Sequence, residues 1–553
     1  MRRNLIVVGL LTWSQAAIAQ QRPDAGQQIQ QIPPSTTPLR QAPDIRVDKP
    51  STTMMSDSGG SKIQVNRIQI TGQTLFTEQQ LIAATNFKPG SQLTLTDLRN
   101  IAAQITRFYN SRGYFLAQAY LPPQEIIGAT VTVAIVEGRY GALTVNNQTS
   151  LSGRMTRGVL AGLAKGDTIA AAALERRLLL LSDIPGISVQ STLSPGLSTG
   201  TSDLMVNIMR GRLITGSLEA DNAGNRFTGA YRSGGTLSFN NPTGQGDLLS
   251  LRALVSNSGL AYGRASYQRP LGAATVGLAF SHINYALGHE FESLDADGTA
   301  DVASLFGSYP LVRSRATNLN ALVSAELKFF RDRLGAAGTE NRRRAKVLYL
   351  GIGGNHQDHI LGGGYTVFSI GTTLGELNIA SDADRAIDQM TARSNGGYGK
   401  LQAGIARLQR ITDSLSLYVA VRGQLASKNL DSAEKMQLGG AYAVRAYPEG
   451  EAYGDEGYVA TAEARYLLPQ FLPVPGQFQL FGFADVGAVH FSKNPWFPGS
   501  NVAHRSGIGA GLAWAGPHGF LVKGSYAHKL GNEPVTSDRD RDGRFWFQIT
   551  KLF

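Results

Sequence analysis

From Leu213 to the C-terminal Phe553 the chain has no helical periodicity. It breaks instead into segments of about ten residues in which apolar side chains alternate with polar or small ones. About sixteen such segments can be placed, beginning with Leu213–Asp221 and ending with Arg544–Phe553. Each is close to the roughly 9–11 residues that a tilted strand needs to cross a bilayer. The connections between them alternate as well. If the first strand rises from the periplasm, the long connections Ala286–Asp301, Arg331–Lys346, Gly375–Asn395, Ser427–Gly457 and Lys529–Gly543 all face outward. The short ones Asn240–Asp247, Pro270–Ala273, Gln409–Ser414 and Gly516–Gly519 all face the periplasm, and Pro469–Gln477 is the one long exception. Outer-membrane barrels sort their loops in this way, and a soluble sandwich has no reason to. Residues 212–553 are therefore expected to form a transmembrane β-barrel of about 16 antiparallel strands.

The N-terminal region agrees with export from the cytoplasm. Met1–Ala19 reads as a signal peptide, with Arg2 and Arg3, an apolar stretch from Leu5 to Leu11, and Ala17-Ile18-Ala19 as a cleavage site. No later run reaches the ~18 apolar residues of a membrane helix. The absence of cysteine excludes a disulfide framework and any thiolate metal site. The net charge of +11 is spread along the chain, so it does not point to nucleic acid. The one tight basic cluster, Arg342-Arg343-Arg344, falls in the expected outer connection Arg331–Lys346.

Between the leader and the barrel the composition changes twice. Residues 20–62 are rich in Gln, Pro, Ser and Thr and read as a linker. Within them Pro23–Ile32 is a candidate short helix with Asp24 near its start, although ten residues alone are marginal in water. Residues 63–140 read as a compact α/β unit. Val65–Ile70 alternates like a half-buried strand, and Leu98, Ile101, Ala102, Ile105, Phe108 and Tyr109 recur at helical spacing after a candidate cap at Thr96. Gly113 ends that helix, and strands Phe115–Leu121 and Ala129–Val136 follow. Residues 141–211 repeat the pattern with helices near Met155–Ala164 and Ile169–Leu181 and strands Ile187–Leu193 and Ser202–Met209. Open sheet edges in such modules can accept an extended peptide as an added strand.

The longest connection is the most informative. Its second half, Gly439–Tyr458, is too rich in Gly, Pro and charge for a helix or a lipid-facing strand. At roughly 30 residues the whole loop is either functional or disordered. Tyr442, Val444, Tyr447 and Tyr453 supply apolar anchors, which favours a loop folded back against the protein with Arg445 at its tip. Two strands later, Phe481, Phe483, Asp485 and Gly487 share one face. A carboxylate facing lipid is costly, so Asp485 is expected in the lumen. A folded-in loop would let Arg445 meet it in a charge-assisted bond. The alternative is a solvated Asp485 and a surface Arg445.

Val444-Arg445-Ala446-Tyr447 together with Phe483-Ala-Asp485-Val-Gly487 resembles the paired signature of two-partner secretion transporters, outer-membrane barrels that export large adhesins and haemolysins. That family usually has Gly where this chain has Ala446. The order of elements in the N-terminal modules likewise resembles polypeptide-transport-associated (POTRA) domains. The resemblance implies the Arg445–Asp485 contact, a helix plugging the barrel, and an unfolded secreted partner bound by two periplasmic POTRA domains. Phe545, Phe547, Ile549 and Phe553 resemble the C-terminal signal by which bacterial barrels are inserted into outer-membrane lipid by the assembly machinery, although Lys551 interrupts that face.

Two weaker patterns carry less. Asp538-Arg-Asp540-Arg-Asp542-Gly543 begins like a calcium loop, but Ile549 stands where Glu is needed. His356-Gln-Asp358-His359 could seed a metal site, but it falls in an expected short periplasmic turn with no further ligand in sight. No nucleophile elbow, zincin helix or phosphate loop is present, so no catalytic residue, cofactor or metal is expected, and export is expected to proceed without ATP. An insertase of the same superfamily is the alternative function, and a passive porin ranks behind both.

Overall fold

The computed structural model describes residues 22–35, 44–47, 61–470 and 474–553. The expected signal peptide and much of the 20–62 linker lie outside them. Sixteen antiparallel strands close into a barrel, from Ile214–Asp221 to Gly543–Leu552. The last strand pairs with the first from Ser217↔Leu552 to Asp221↔Gln548. Lipid replaces water outside, so the usual burial pattern is inverted. On the eighth strand, Thr339–Asp358, Leu348, Leu350 and Ile352 face outward while Arg343 faces the lumen.

The strands run further than the hydrophobic pattern suggested. Val302–Tyr309, Leu319–Phe330 and Val347–Asn355 were the readable parts of Ala296–Arg313, Thr317–Leu334 and Thr339–Asp358, which have 18, 18 and 20 residues. Twenty residues at about 3.3 Å each reach far beyond a bilayer. Outside the membrane the outward side chains become charged, so the alternation of hydrophobicity stops while the backbone ladder continues. The expected loop Ala286–Asp301 is thereby reduced to residues 287–295, which carry the 3-10 helix His289–Leu294, and Arg331–Lys346 to the turn 335–338. Arg342–Arg344 lies in a strand and not in a loop.

The first periplasmic module holds a three-stranded sheet and two helices, Glu78–Ala83 and Leu95–Ser111. The long helix starts earlier than Thr96. Thr94 Oγ1 accepts from the Asp97 amide at 3.1 Å and Asp97 accepts from the Thr94 amide at 2.8 Å, a reciprocal cap that leaves Thr96 inside the first turn. The expected strand Val65–Ile70 is broken at Asn66 into Ile63–Val65 and Arg67–Thr71. Glu137, at the exit of this module, is buried and accepts from the Thr74 amide (2.6 Å), the Leu75 amide (2.9 Å) and the Tyr109 hydroxyl (3.0 Å). Burial pushes its carboxyl up, but these donors outweigh it and hold the group below the usual glutamate range.

The second module pairs strands Arg139–Asn147, Thr201–Arg210 and Ile187–Pro195 over helices Gly153–Val159 and Ala171–Ser182. Its outer edge is occupied by a piece of the linker. Asp44–Val47 lies parallel to Ile187–Pro195 in register Asp44↔Gln190 to Val47↔Leu193. This module docks on the periplasmic end of the barrel, where Asp183 takes two hydrogen bonds of 2.7 Å from Arg313.

Candidate functional site in the barrel lumen

Among the described residues, two elements fill much of the lumen. The first is the loop between the eleventh strand, Leu415–Ala426, and the twelfth, Glu456–Leu467. It turns inward as a compact hairpin, with Met436 paired to Gly454 and Gln437 to Tyr453. Leu438, Val444, Ala446 and Tyr447 are buried, and Tyr453 with them. Tyr442 is not an anchor: it is half exposed and lines a lumen cavity with Arg422 and Glu449.

Arg445 stands at the tip. Its Nε and Nη2 donate to the two oxygens of Asp485, each at 2.8 Å, and its backbone amide adds a third bond of 3.1 Å. Nη1 reaches Glu463 at 2.8 Å, and the guanidinium carbon lies 3.4 Å from the centroid of the Phe483 ring. Thr461 Oγ1 donates to Asp485 at 2.9 Å, and Trp546 Nε1 donates to the Arg445 carbonyl at 2.6 Å. Asp485 is only 2% exposed and Arg445 7%, so this is a desolvated cluster of one cation and two anions. Arg465, 2.7 Å from the other oxygen of Glu463, supplies the second positive charge. Phe483 and Asp485 point inward from the strand Gln477–His490 as their spacing required. A Cβ on Gly487 would come within 2.7 Å of Leu438 Cδ1, so that position has room only for hydrogen.

Glu463 and Trp546 were not singled out from the sequence. Both were legible: Glu463 is a carboxylate on a membrane strand, and alternation puts Trp546 on the face opposite Phe545 and Phe547. Phe545 and Phe547 face outward, and Ile549 follows them on that side of the strand. Phe553 hydrogen-bonds through its backbone to Gly216, closing the seam. Lys551 reaches the periplasmic rim, where its ammonium lies 4.5 Å from the Phe520 ring and donates to the His518 carbonyl.

The second element is the helix Ala25–Gln30, capped by Asp24 and inserted between the loop and the wall. Arg343 Nη2 contacts Asp24 at 3.0 Å and Asp332 at 2.8 Å, while its Nη1 reaches Asp431 of the loop at 2.5 Å. The amide of Ala25 donates to Asp332 at 2.8 Å. Thr228 donates to Gln28, and Arg232 to the Gln31 carbonyl, both at 2.9 Å. One arginine thus joins plug, wall and loop. The remaining acidic runs are taken up by cations: Asp538 by Arg544 at 2.6 Å, Asp540 by Lys529 at 2.7 Å, and Asp358 by Arg407 at 2.7 Å. His356 meets Thr317 at 2.8 Å.

A sequence model of the haemolysin secretion/activation protein family (ShlB/FhaC/HecB) matches residues 200–513, more than half of the chain. The chain belongs to this family. A ShlB-type POTRA domain is matched over residues 63–138. The Heme/hemopexin transporter protein HuxB of Haemophilus influenzae is 27% identical over 555 residues, 98% of this chain and 96% of that protein. The Outer membrane transporter CdiB of Dickeya dadantii is 24% identical over 447 residues, 78% of this chain and 77% of that one. The solved structure of CdiB from Escherichia coli has a TM-score of 0.72 at 20% identity, covering 91% of this chain and 93% of that one. The chain is a two-partner secretion transporter of the outer membrane, with its POTRA region in the periplasm. In this haemolysin secretion/activation family member, Ala446 in place of the usual glycine does not loosen the loop. It is fully buried and needs no left-handed backbone.

Proposed function

We propose that the secreted partner arrives unfolded, adds a strand to a sheet edge of the periplasmic modules, and crosses the barrel after the plug helix has withdrawn. Arg445 and its acidic partners hold the loop seated in the lumen throughout, so that the wall stays in one defined state. The observation that carries this reading is the bidentate, buried Arg445–Asp485 pair in a lumen that also holds a docked plug. The Asp44–Val47 strand supports the first step, since an extended segment of this same chain already lies on the edge Ile187–Pro195. HuxB, named for heme/hemopexin, puts a secreted partner of that kind first among cargoes to test, with adhesins and haemolysins behind it. Insertion by the barrel assembly machinery through the Phe545, Phe547, Ile549 and Phe553 face belongs to the same reading.

The test is export of a secreted partner co-expressed with this chain. Arg445→Ala should abolish its appearance in the medium while the barrel remains inserted and heat-modifiable. Normal export from a correctly inserted variant would refute the role of the loop. Deleting residues 44–47 should tighten partner binding if the partner uses the Ile187–Pro195 edge, and unchanged binding would direct attention to the edges of the first module.

A further inference from the structure

The strand that carries Arg342-Arg343-Arg344 divides the triplet between two sides of the wall. Arg343 points into the lumen and holds the plug. Arg342 and Arg344 point out, toward the membrane. Pairing sets Arg331 directly opposite Arg342, and Lys346 is the next outward residue below Arg344. The side chains of Arg342, Lys346 and Arg331 are 67%, 61% and 53% exposed. Two carboxylates answer these four cations. Glu340 takes one nitrogen from each of Arg331 and Arg342, which leaves most of both guanidinium forks free. Glu376 lies 3.6 Å from Lys346. Arg344 has no carboxylate partner among the described residues.

Height on the wall gives this patch a meaning that scattered surface arginines lack. The eighth strand runs from outside to periplasm, and below Lys346 its outward residues are Leu348, Leu350 and Ile352, each about two-fifths exposed, at the top of the apolar belt. Cross-strand pairing puts Phe329 beside Arg344 and Leu327 beside Lys346, so cations and apolar groups share two rungs of the ladder. That mixture marks the level of the outer-leaflet headgroups. By contrast, the outer ends of the fourteenth and fifteenth strands, Val502–Ala515 and Phe520–Leu530, carry His504, Ser506, His528 and Leu530 on the same side.

We propose that this face binds the phosphate groups of lipid A, the phosphorylated glycolipid of the outer leaflet. Arg342, Arg344 and Arg331 take the phosphates through planar forks that match phosphate geometry, and Lys346 adds a point charge from a stem lying along the belt. Phe329 and Leu327 lie against the acyl chains just below. The recognition is of charge and height together: a phosphate at the sugar level with lipid immediately beneath it.

The test uses the full chain purified in detergent and titrated with bisphosphorylated lipid A, with bound lipid counted by native mass spectrometry. The double substitution R342Q/R344Q should weaken binding at least tenfold while the barrel keeps its heat-modifiable band. Dephosphorylated lipid A should bind both proteins equally weakly. Should the double variant fail to insert, R344Q alone is read, because that side chain holds no internal ion pair. Undiminished binding by the folded variant would overturn the proposal. So would phosphatidylglycerol binding as tightly as lipid A, which would make the patch a general anionic-lipid surface.

Discussion

A Cβ built on Gly507 would stand 2.4 Å from the Cβ of Ala446. The wall is bare at the point where the methyl of Ala446 meets it. Family members with glycine in the loop have no such methyl to place. Here the side chain has been accommodated by the strand Val502–Ala515.

Gly507→Val should therefore unseat the loop, whereas Ala446→Gly should be tolerated. Overpacking of this kind costs about 1–3 kcal/mol. The check is the temperature at which the barrel loses its compact form on semi-native gels, which should fall for Gly507→Val and hold for Ala446→Gly.

Removing Arg445 leaves Asp485 and Glu463 buried with Arg465, which bonds only Glu463, and the nearby Lys523 as the remaining cations. Breaking a buried pair by taking one partner costs roughly 3–5 kcal/mol, whereas removing both charges costs much less. Arg445→Met should be more destabilising than the double variant with Asp485→Asn. Strictly additive losses in a double-mutant cycle would mean that the two groups are not coupled.

Gly26 faces Ser432 and Ala433, and a Cβ there would meet Ser432 Oγ at 2.7 Å and the Ala433 nitrogen at 2.8 Å. Gly26→Val and Arg343→Ala should each displace the helix Ala25–Gln30, by steric exclusion in one case and loss of charge pairing in the other. In planar bilayers both should raise the open fraction of single channels severalfold. Unchanged traces would show that the helix is not what limits conductance.

Glu137 has a folded-state pKa below its unfolded value, so its contribution is fully present above the unfolded value near 4.3 and is lost as pH falls through the lower folded value. Amide hydrogen exchange within residues 63–138 of the full protein, corrected for its intrinsic pH dependence, should accelerate as the medium is acidified through that window. Glu137→Gln should accelerate exchange at neutral pH and flatten the acid dependence. Removing one partner of such buried hydrogen bonds costs about 1–3 kcal/mol.

The barrel was legible because lipid enforces alternation: a strand with water on one side and hydrocarbon on the other has to show it in its residues. Asp485 was legible for the same reason, and Arg445 through its motif. Beyond the headgroups that constraint lapses, which is why Ala296–Arg313, Thr317–Leu334 and Thr339–Asp358 looked shorter than they are. The bond from Arg343 to Asp24 joins residues more than three hundred positions apart, and nothing local to either announces the other. Thr94 was passed over for Thr96 because both are threonines at a helix start, and only the aspartate three residues on distinguishes them.

The bond from the Trp546 indole to the Arg445 carbonyl joins the last strand made to a loop made about a hundred residues earlier. Until the first and last strands have met at the seam, that carbonyl and that indole are not held at bonding distance. Closing the cylinder and fastening its inner tip are therefore coupled through one hydrogen bond.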